Sequence, residues 1–481
     1  MLKHLIIIFL YINLVSNSVI CAFSMLTQLA EETMNSINKS SGERYDWRKT
    51  HEPERPYLHQ YHLTLVDKIF LCRKPNPEKG TQVNVLCTFA QALERIRKVD
   101  NMTRGIPKIM YLVGWQFEGH DSKYPAWSEV NKHLKRPEDK TALDSLRWLM
   151  REACNYHTTV SLHINMNDAY ENSPLWQAYK ERGIITGKGG VWDGEQSYLI
   201  SHTRELNSGL AQKRIDGLLD MLPLKEAGTV HIDAFWIVDS DREAELAAMR
   251  KIIRYWRDRG VDVTTEGIVQ PDFDNGLMGL VPMVWHINSA GWNRGDEFAE
   301  ADYMEIPASL FCGGEDHSHR ALLFGTNMIG EDIPNDQIHK YLPGFCLKTL
   351  PWQYLNRYQR QQLIQEGEVK EVRFSDNLTS RVIQGETLIK HGDVIIRDGN
   401  DVFVPALWKE DREIIAFSAN GYSQRRWKLP SSFYTLNSLY VHEITIDGLR
   451  FLQEVPIING DVTMSLGQNQ AVSLLPNREE I

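Results

Sequence analysis

Short β-rich apolar runs alternate with amphipathic helical patterns from about residue 106 onward, and this alternation constrains the fold more than any other feature of the chain. Helical spacing of three and four residues marks the stretches 142–156, 210–222 and 243–259. The apolar runs are 109–113, 159–163, 229–233, 261–266 and 283–287. Strands that alternate with helices in this way build a parallel sheet covered by helices, so the chain is predicted to be an α/β protein.

The helical periodicity ends at about residue 380, and the short alternating segments that follow are separated by Gly, Asn and Asp turns such as Asp447-Gly448. This pattern predicts an antiparallel β-sandwich over residues 376–481. Residues 101–375 have about the size of a (β/α)8 barrel, which typically has about 250 residues. Residues 23–100 are predicted to be a lead-in segment that packs on the barrel. The predicted fold class is therefore α/β, a (β/α)8 TIM-like barrel followed by the sandwich.

The first 22 residues are predicted to be a signal peptide. Lys3 supplies a positive charge, the stretch 5–20 is mostly apolar, and Cys21 and Ala22 are small residues near a cleavage site. The mature protein is therefore expected to be secreted or periplasmic. A lipid anchor on Cys21 is the alternative, although the residues before it are not small. No later stretch has 18 uninterrupted apolar residues, so no membrane span is predicted.

Charge and composition narrow the class of ligand. The chain carries a net charge of -10 without a run of basic residues, so neither a nucleic acid nor an anionic membrane surface is expected as a partner. Aromatic residues make up 10% of the chain, a supply that suits stacking on sugar rings. The cysteines after Cys21 are widely spaced and form no CxxC pair, so free thiols are favoured over disulfides.

Asp233 and Glu266 end two successive predicted strands. The carboxyl ends of barrel strands face the pocket, so both acids are expected at the same mouth, although each acid alone also fits a helix cap or a solvated loop position. Retaining glycosidases need two carboxyl groups about 5–5.5 Å apart, and adjacent strands lie about 4.8 Å apart. The pair is therefore predicted to be catalytic. Asp233 is expected to stay ionised, and Glu266 to lie in a more apolar or more negative position that keeps it protonated.

Other polar strand ends are predicted to contact the substrate. His120 and Asp121 are expected to hold sugar hydroxyls, because a carboxylate accepts two hydroxyl protons, and a turn with an Asp cap is the ordinary alternative. The glycine-rich stretch 187–194 carries Trp192 and is interpreted as a mobile loop that closes over a sugar ring, or else as an ordinary surface loop. The remaining predicted contacts are Trp115, His163, Asp168 and His286. A strand-end histidine bonded to a backbone group is the alternative for His163.

A metal site has weak support from the residues. His317 and His319 lie beside Glu315 and Asp316, but this spacing recurs by chance. No cofactor is therefore expected to be required for the chemistry.

The strand-end residues resemble those of glycoside hydrolase family 129 and its relative, family 101, the α-N-acetylgalactosaminidases of mucin-type O-glycans. The resembling stretch runs from about residue 88 to residue 345. Its markers are Tyr-Leu-Val-Gly-Trp-Gln at 111–116, Gly-His-Asp-Ser at 119–122, Val-Ser-Leu-His-Ile-Asn at 160–165, Asp-Ala-Tyr at 168–170, His-Ile-Asp at 231–233 and the acid Glu266. The resemblance implies a (β/α)8 barrel, retention of configuration, Asp233 as nucleophile and Glu266 as acid/base. It also implies that Asp121 holds sugar hydroxyls.

Departures from family 101 bear on the substrate. Those enzymes have two lid tryptophans in a Trp-x-Trp arrangement, whereas this chain has Trp192 alone, and they are much longer. Release of a single α-linked N-acetylgalactosamine, the family 129 behaviour, is therefore favoured over release of a core O-glycan disaccharide. Family 129 members are associated with bound metal, which implies a structural calcium ion, although no ligand is assigned to it.

Two other functions stay open. A retaining α-galactosidase or other α-glycosidase would use the same two carboxylates, since the sequence does not show whether a pocket for the acetamido group exists. A non-catalytic sugar-binding protein on a degenerate barrel is disfavoured by the presence of both acids. The expected partner is a carbohydrate, an O-glycan or glycopeptide, and no oligomeric state is predicted.

Overall fold

The structure, a computed structural model, describes most of the chain between Arg55 and Arg478. The described residues are 55–76, 78–266, 277, 279–285, 304–310, 319–327 and 333–478, with the backbone alone at 319 and 320. The predicted signal peptide lies outside them, and so do His286, His317 and the side chain of His319.

In chain order, the described residues form the following strands and helices. The strands are β1 Leu65–Phe70, β2 Cys72–Arg73, β3 Asn84–Val85, β4 Lys108–Val113, β5 Thr158–Asn165, β6 Asp168–Ala169, β7 Ile185–Trp192, β8 Glu195–Ile200, β9 Thr229–Asp233, β10 Asp262–Thr265, β11 Arg360–Glu366, β12 Val369–Phe374, β13 Leu378–Ile383, β14 Glu386–His391, β15 Val394–Asp398, β16 Asp401–Pro405, β17 Ile414–Ser418, β18 Tyr422–Lys428, β19 Ser438–Thr445, β20 Gly448–Pro456, β21 Asp461–Leu466 and β22 Gln470–Leu475. The helices are α1 Phe89–Thr103, α2 Ala142–Glu152, α3 Trp176–Glu181, α4 His202–Asn207, α5 Leu210–Met221, α6 Leu224–Ala227, α7 Arg242–Arg257, α8 His319–Phe324, α9 Tyr341–Gly344 and α10 Leu350–Leu355.

A parallel sheet in the order β1-β4-β5-β9-β10 carries the candidate site. Helices α1, α2 and α7 connect β1 to β4, β4 to β5 and β9 to β10, which makes each of these steps a β–α–β unit. The apolar runs predicted at 109–113, 159–163, 229–233 and 261–266 are confirmed as strands of this sheet. The mixed α/β class is therefore confirmed.

The sheet starts earlier in the chain than expected. β1 pairs in parallel with β4 along its whole length, within the stretch assigned above to a lead-in. Its sequence places Asp67 and Lys68 in the middle of the strand, and both residues are almost fully buried. These two adjacent charged residues interrupt the apolar run, so the strand was not predicted.

The parallel sheet is strongly curved, because its two outer strands approach each other. Lys68 on β1 contacts Glu266, the residue that follows β10 by one position. A flat sheet would hold these two strands about 19 Å apart, four inter-strand spacings. The hydroxyl of Tyr61, just before β1, also lies 3.4 Å from Oδ2 of Asp262 on β10. Beyond β10, Val284 forms a parallel bridge with Thr265.

Side-chain caps and apolar faces fix the helices that cover the sheet. Thr88 forms a capping box at the start of α1, and Thr141 forms another at the start of α2. Asp241 accepts a hydrogen bond of 3.0 Å from the N–H of Ala244 at the start of α7. The face predicted for α7 is buried as expected: Leu246, Met249, Ile252, Ile253 and Trp256.

The glycine-rich stretch 187–194 forms part of a β-hairpin, and the prediction of a loop there was wrong. β7 and β8 pair as its two antiparallel strands, and β6 pairs with β8. Glycine is needed at position 189 because a Cβ there would lie 2.5 Å from Oγ of Ser197. Register shifts within β7 accompany these glycines, so the segment lacks the period-two pattern by which a strand is recognised.

The C-terminal part is antiparallel, as predicted. Its large sheet has the order β11-β12-β13-β14-β15-β16-β17-β22-β19-β20, and β18 pairs separately with β21. Side chains of both sheets share one core, in which Trp427 and Met464 lie with Phe403, Ile414 and Val441. The large sheet begins at β11, before the predicted boundary at residue 376.

The cysteines of the described residues are free, as expected: Cys72, Cys87, Cys154 and Cys346. Among the described helices, none is long and apolar enough to cross a membrane.

Candidate active site

Asp233 and Glu266 follow one another across neighbouring strands at the carboxyl edge of the sheet. Ile232 on β9 pairs with Thr265 on β10, and the N–H of Glu266 donates to the carbonyl of Ile232 at 3.2 Å. The next position on each strand is the acid. Both side chains therefore leave the same edge of adjacent parallel strands.

A row of three histidines connects the two acids. The ring centroids of His120 and His163 lie 5.5 Å apart, and those of His163 and His231 lie 5.4 Å apart. His163 and His231 are paired neighbours on β5 and β9, whereas His120 follows β4. The parallel register thus gathers three imidazoles that are far apart in sequence.

Asp233 lies at the end of this row that holds His163 and His120. Its Oδ2 atom is 3.1 Å from Nε2 of His163 and 3.7 Å from Nε2 of His120. Burial favours the neutral carboxyl, but the two imidazoles outweigh burial and hold the pKa of Asp233 well below its usual range. Asp233 is therefore ionised, in agreement with the expectation.

His120 and Asp121 lie in a tight turn after β4. Gly119 has a φ of 132°, and a Cβ there would lie 2.8 Å from the backbone of residues 72–74, so the turn requires glycine. Burial lowers the pKa of His120, but the carboxylates of Asp121 and Asp233 raise it above its usual value overall. Burial, partly opposed by His120, raises the pKa of Asp121. The turn thus presents a His–Asp pair to the site.

Asp168 and a set of buried polar groups lie on the same side as Asp121. Asn165 donates to Oδ2 of Asp168 at 2.8 Å. Burial, with the negative charges of Asp121 and Asp233, raises the pKa of Asp168 to about 6. Within the described part of the chain, three nearby buried side chains have polar atoms without a well-formed hydrogen bond: Gln116, Tyr124 and Tyr170. Such groups are unusual in native proteins and often mark the place of a ligand or water.

Glu266 lies at the other end of the row and has different neighbours. Its Oε1 atom contacts Nζ of Lys68 and lies 3.2 Å from Nε2 of His231. Burial and the Lys68 ammonium lower the pKa of His231 to about 3, so this histidine is neutral. The expected apolar or negative surroundings of Glu266 are therefore not observed, because a buried lysine from β1 contacts the acid. Lys68 was not predicted to belong to the site, because β1 was not predicted as a strand.

Trp115 and Trp192 do not join the cluster. Trp115 is fully buried, and its indole N–H donates to the carbonyl of His163 at 3.0 Å. It therefore supports the backbone that carries this histidine. Trp192 is 45% exposed near the end of the β7–β8 hairpin. Lys74 ties this hairpin to the His–Asp turn, because its Nζ lies 2.9 Å from both Oε2 of Glu195 and the carbonyl oxygen of Asp121.

Two overlapping groups of side chains have the proximity found around metal ions. They are His120 with His163 and Asp233, and His163 with His231 and Glu266, each with candidate atoms within 4.8 Å of one another. Calcium prefers six to eight oxygen ligands, so neither imidazole-rich group fits calcium. The Lys68 ammonium on Glu266 further disfavours a second cation in the latter group. We assign no metal to the site.

Part of the chain matches a known family model, and a curated protein bears the same description. Residues 82–275 match the sequence model of family 101, the endo-α-N-acetylgalactosaminidases. This stretch holds Asp233, Glu266 and the three histidines, but not β1. A protein of Renibacterium salmoninarum described as "Putative endo-alpha-N-acetylgalactosaminidase" is 24% identical over 412 residues, which are 80% of this chain and 25% of the relative.

Solved structures agree on the fold. The ligand-free α-N-acetylgalactosaminidase NagBb of Bifidobacterium bifidum aligns with a TM-score of 0.50 and 12% identity, over 76% of this chain and 63% of that one. Its complex with Gal-NHAc-DNJ aligns with a TM-score of 0.52 over the same shares of both chains. The chain thus spans about a quarter of the curated relative and under two thirds of the solved one.

Proposed function

We propose that this chain is a retaining glycoside hydrolase that releases α-linked N-acetylgalactosamine from mucin-type glycans. The observation that carries the proposal is the placement of Asp233 and Glu266 at the same edge of adjacent, in-register strands. The two acids are close enough to interact, since the charge of Glu266 raises the pKa of Asp233. Two close carboxyl groups of different environment are what double displacement requires.

Asp233 is the proposed nucleophile. Its carboxylate, kept ionised by His163 and His120, attacks the anomeric carbon while the glycosidic C–O bond breaks. The leaving oxygen takes a proton delivered through Glu266. Water then attacks the anomeric carbon, loses a proton toward Glu266 and displaces the Asp233 carboxylate, so configuration is retained overall.

The polar groups on the Asp121 side are the proposed sugar-binding surface. Asp121 and Asp168 supply acceptors for sugar hydroxyls, and His120 joins them beside Asp233. Buried Gln116, Tyr124 and Tyr170 have polar atoms without a well-formed hydrogen bond among the described residues, so they offer donors and acceptors to a sugar. N-acetylgalactosamine is preferred to galactose as the substrate because both the matched family model and the NagBb structures bear that sugar in their descriptions.

Closure of the parallel sheet into an eight-stranded barrel is part of the proposal. The contact of Lys68 with Glu266 and the bridge of Val284 to Thr265 both support a sheet that curls on itself. A secreted or periplasmic enzyme, family 129 as the nearer group, single-sugar release and a structural calcium elsewhere in the chain also remain proposals.

Hydrolysis of an O-glycopeptide, followed by NMR of the newly released sugar, tests the proposal most directly. The expected first product is the α-anomer of free N-acetylgalactosamine. A β-anomer would exclude double displacement, and a released disaccharide would replace single-sugar release with endo action. Nitrophenyl α-galactoside and its N-acetylated counterpart then separate the two sugars, because cleavage of the galactoside alone would contradict the assignment. Sugar binding without any turnover would indicate a non-catalytic lectin.

A further inference from the structure

We propose that Lys68 and Glu266 share a single proton, and that this pair, rather than Glu266 alone, donates and recovers the proton of the glycosidic reaction. The inference rests on the proposed function and deepens it. It makes Lys68 a positioning residue that acts through Glu266, from a strand that lies outside the matched family stretch.

The contact is buried on both sides. The side chains of Lys68 and Glu266 are 3% and 11% exposed. The Lys68 ammonium also lies over the ring of Trp285, 3.9 Å from its centroid. Taking two opposite charges out of water costs several kcal/mol per ion, about as much as their attraction returns. In such surroundings the ion pair and its neutral form, amine with carboxylic acid, lie close in free energy.

The histidine that also contacts Glu266 does not hold a surplus proton. His231 is fully buried and neutral, with a pKa of about 3. Its Nδ1 lies 2.8 Å from Oγ1 of Thr264, and its Nε2 lies 3.2 Å from Oε1 of Glu266. His231 therefore fixes the orientation of the carboxyl, whereas Lys68 carries the proton.

Several other titratable groups face the pair from the strands around it. Asp233 on β9 and Glu266 interact electrostatically, and so do Lys68 and His120 after β4. His163 on β5 and Tyr111 on β4 lie against His231. Lys68 is the basic side chain in direct, buried contact with Glu266, and His231 is neutral, so we assign the shared proton to the contact between Lys68 and Glu266.

The proton balance of the reaction follows from the shared proton. In the resting state the pair holds one proton, partly as ammonium with carboxylate and partly as amine with carboxylic acid. Transfer of one proton inside the contact gives a neutral amine and a carboxylic acid with no exchange with solvent. The acid protonates the leaving oxygen, which leaves a neutral amine and a carboxylate. In the second step the attacking water returns one proton to Glu266 and from there to Lys68, which restores the resting pair.

The pH dependence of kcat/KM in Lys68→Met decides between a shared proton and simple electrostatics. With a shared proton, the alkaline limb of the wild-type profile reports loss of the last proton of the pair. Methionine leaves Glu266 to hold the proton alone, so the limb should move to lower pH by about one unit or more. If Lys68 only stabilises the Glu266 carboxylate, its removal favours the protonated acid, and the limb would move to higher pH instead.

Lys68→Arg keeps the charge but gives up no proton at accessible pH. We expect a loss of roughly 100-fold or more in kcat on substrates with poor leaving groups and a much smaller loss on nitrophenyl glycosides. The spared aryl substrate would show that this variant still folds. Equal activity of wild type and variant on both substrates would overturn the proposal.

Lys108→Met is a matched control. Lys108 begins the adjacent strand β4, its side chain is fully buried, and it is also paired with an acid, Asp100 of α1. It should lower stability and leave the pH profile of kcat/KM unchanged.

An infrared measurement separates this proposal from the proposed function. A protonated carboxyl band that is present in wild type and lost in Glu266→Gln should titrate together with the 15N signal of the Lys68 amine, whether or not any glycoside is hydrolysed. A Glu266 that stays fully ionised while Lys68 titrates would disprove the shared proton. A shared proton without turnover would instead leave the pair in place and remove the glycosidase function.

Discussion

The carboxylates at the two ends of the histidine row have different neighbours. Asp233 faces two imidazoles, those of His163 and His120, and its side chain is 22% exposed. Glu266 faces a buried lysine and a neutral histidine, and its side chain is 11% exposed. Asp233 is thus held ionised by two imidazoles, whereas Glu266 is held in a buried contact with a lysine.

This contrast shows how similar residue types acquire different chemistry from neighbouring strands. His163 and His231 are direct neighbours in the register, yet one contacts Asp233 and the other contacts Glu266. Their environments differ because β1 curls back to place Lys68 beside β10. Strand order and sheet curvature, rather than local sequence, therefore give the two acids their different surroundings.

Asp233→Ala is expected to give the largest effect, because it removes the proposed nucleophile. We expect kcat to fall by roughly 10⁴-fold or more on every α-glycoside tested. Steady-state kinetics with a nitrophenyl substrate measures the loss, and circular dichroism checks the fold. Asp239→Asn, which changes a surface-side acid paired with Arg204, serves as the control and should retain activity. A decrease of less than about tenfold in Asp233→Ala would assign the nucleophile to another group.

Glu266→Ala should affect substrates unequally. The loss on an O-glycopeptide is expected to be about 10²–10⁴-fold, because the poor leaving group needs a proton. The loss in the first step on an activated aryl glycoside should be far smaller. Pre-steady-state release of nitrophenol measures that step. The same loss on both substrates would contradict proton delivery through Glu266 and remove the contrast between the two acids.

His163→Gln tests whether His163 lowers the pKa of Asp233. His163 lowers the pKa of Asp233, and the ionised form is active, so activity is present above that pKa and is lost as pH falls through it. Removing the imidazole should raise the pKa of Asp233 and move the acidic limb of kcat/KM upward by about one pH unit. His157→Gln, an exposed histidine just before β5, is the control. An unchanged acidic limb in His163→Gln would show that His163 does not tune Asp233.

The sequence predicted the Asp233 side of the site better than the Glu266 side. Asp233, His163 and His120 each follow or end a clear apolar run, and parallel register alone brings such positions to one edge. The same argument expected both acids at the ends of adjacent strands, and they lie there, whereas their catalytic roles stay a prediction. Lys68 was missed, because a charged residue within a buried strand has no signature in the sequence until its partner across the sheet is known.

The glycine-rich hairpin was missed for a different physical reason. Its strands contain bulges and few apolar residues, and the pairing of β7 with β8 is non-local information. Lys74, which holds the hairpin through Glu195 and the His–Asp turn through the Asp121 carbonyl, was missed for the same reason. Lys68 and Lys74 were thus both missed because each makes a contact between segments that are distant in the sequence.

Asp168→Asn should give the smallest effect, a change in the free energy of unfolding. It tests whether the negative charges of Asp121 and Asp233 act on Asp168. Burial and the charges of Asp121 and Asp233 raise the pKa of Asp168 to about 6. Because the folded-state pKa is raised, the stability contributed by protonated Asp168 is complete below the ordinary aspartate pKa and is lost as pH rises through about 6. An asparagine carries no charge at any pH and retains the shape of the side chain. We therefore expect urea unfolding to show a gain of about 1–3 kcal/mol at pH 8 and little or none at pH 4. A gain of equal size at both values would attribute the effect to packing, and it would mean that the charges of Asp121 and Asp233 do not act on Asp168.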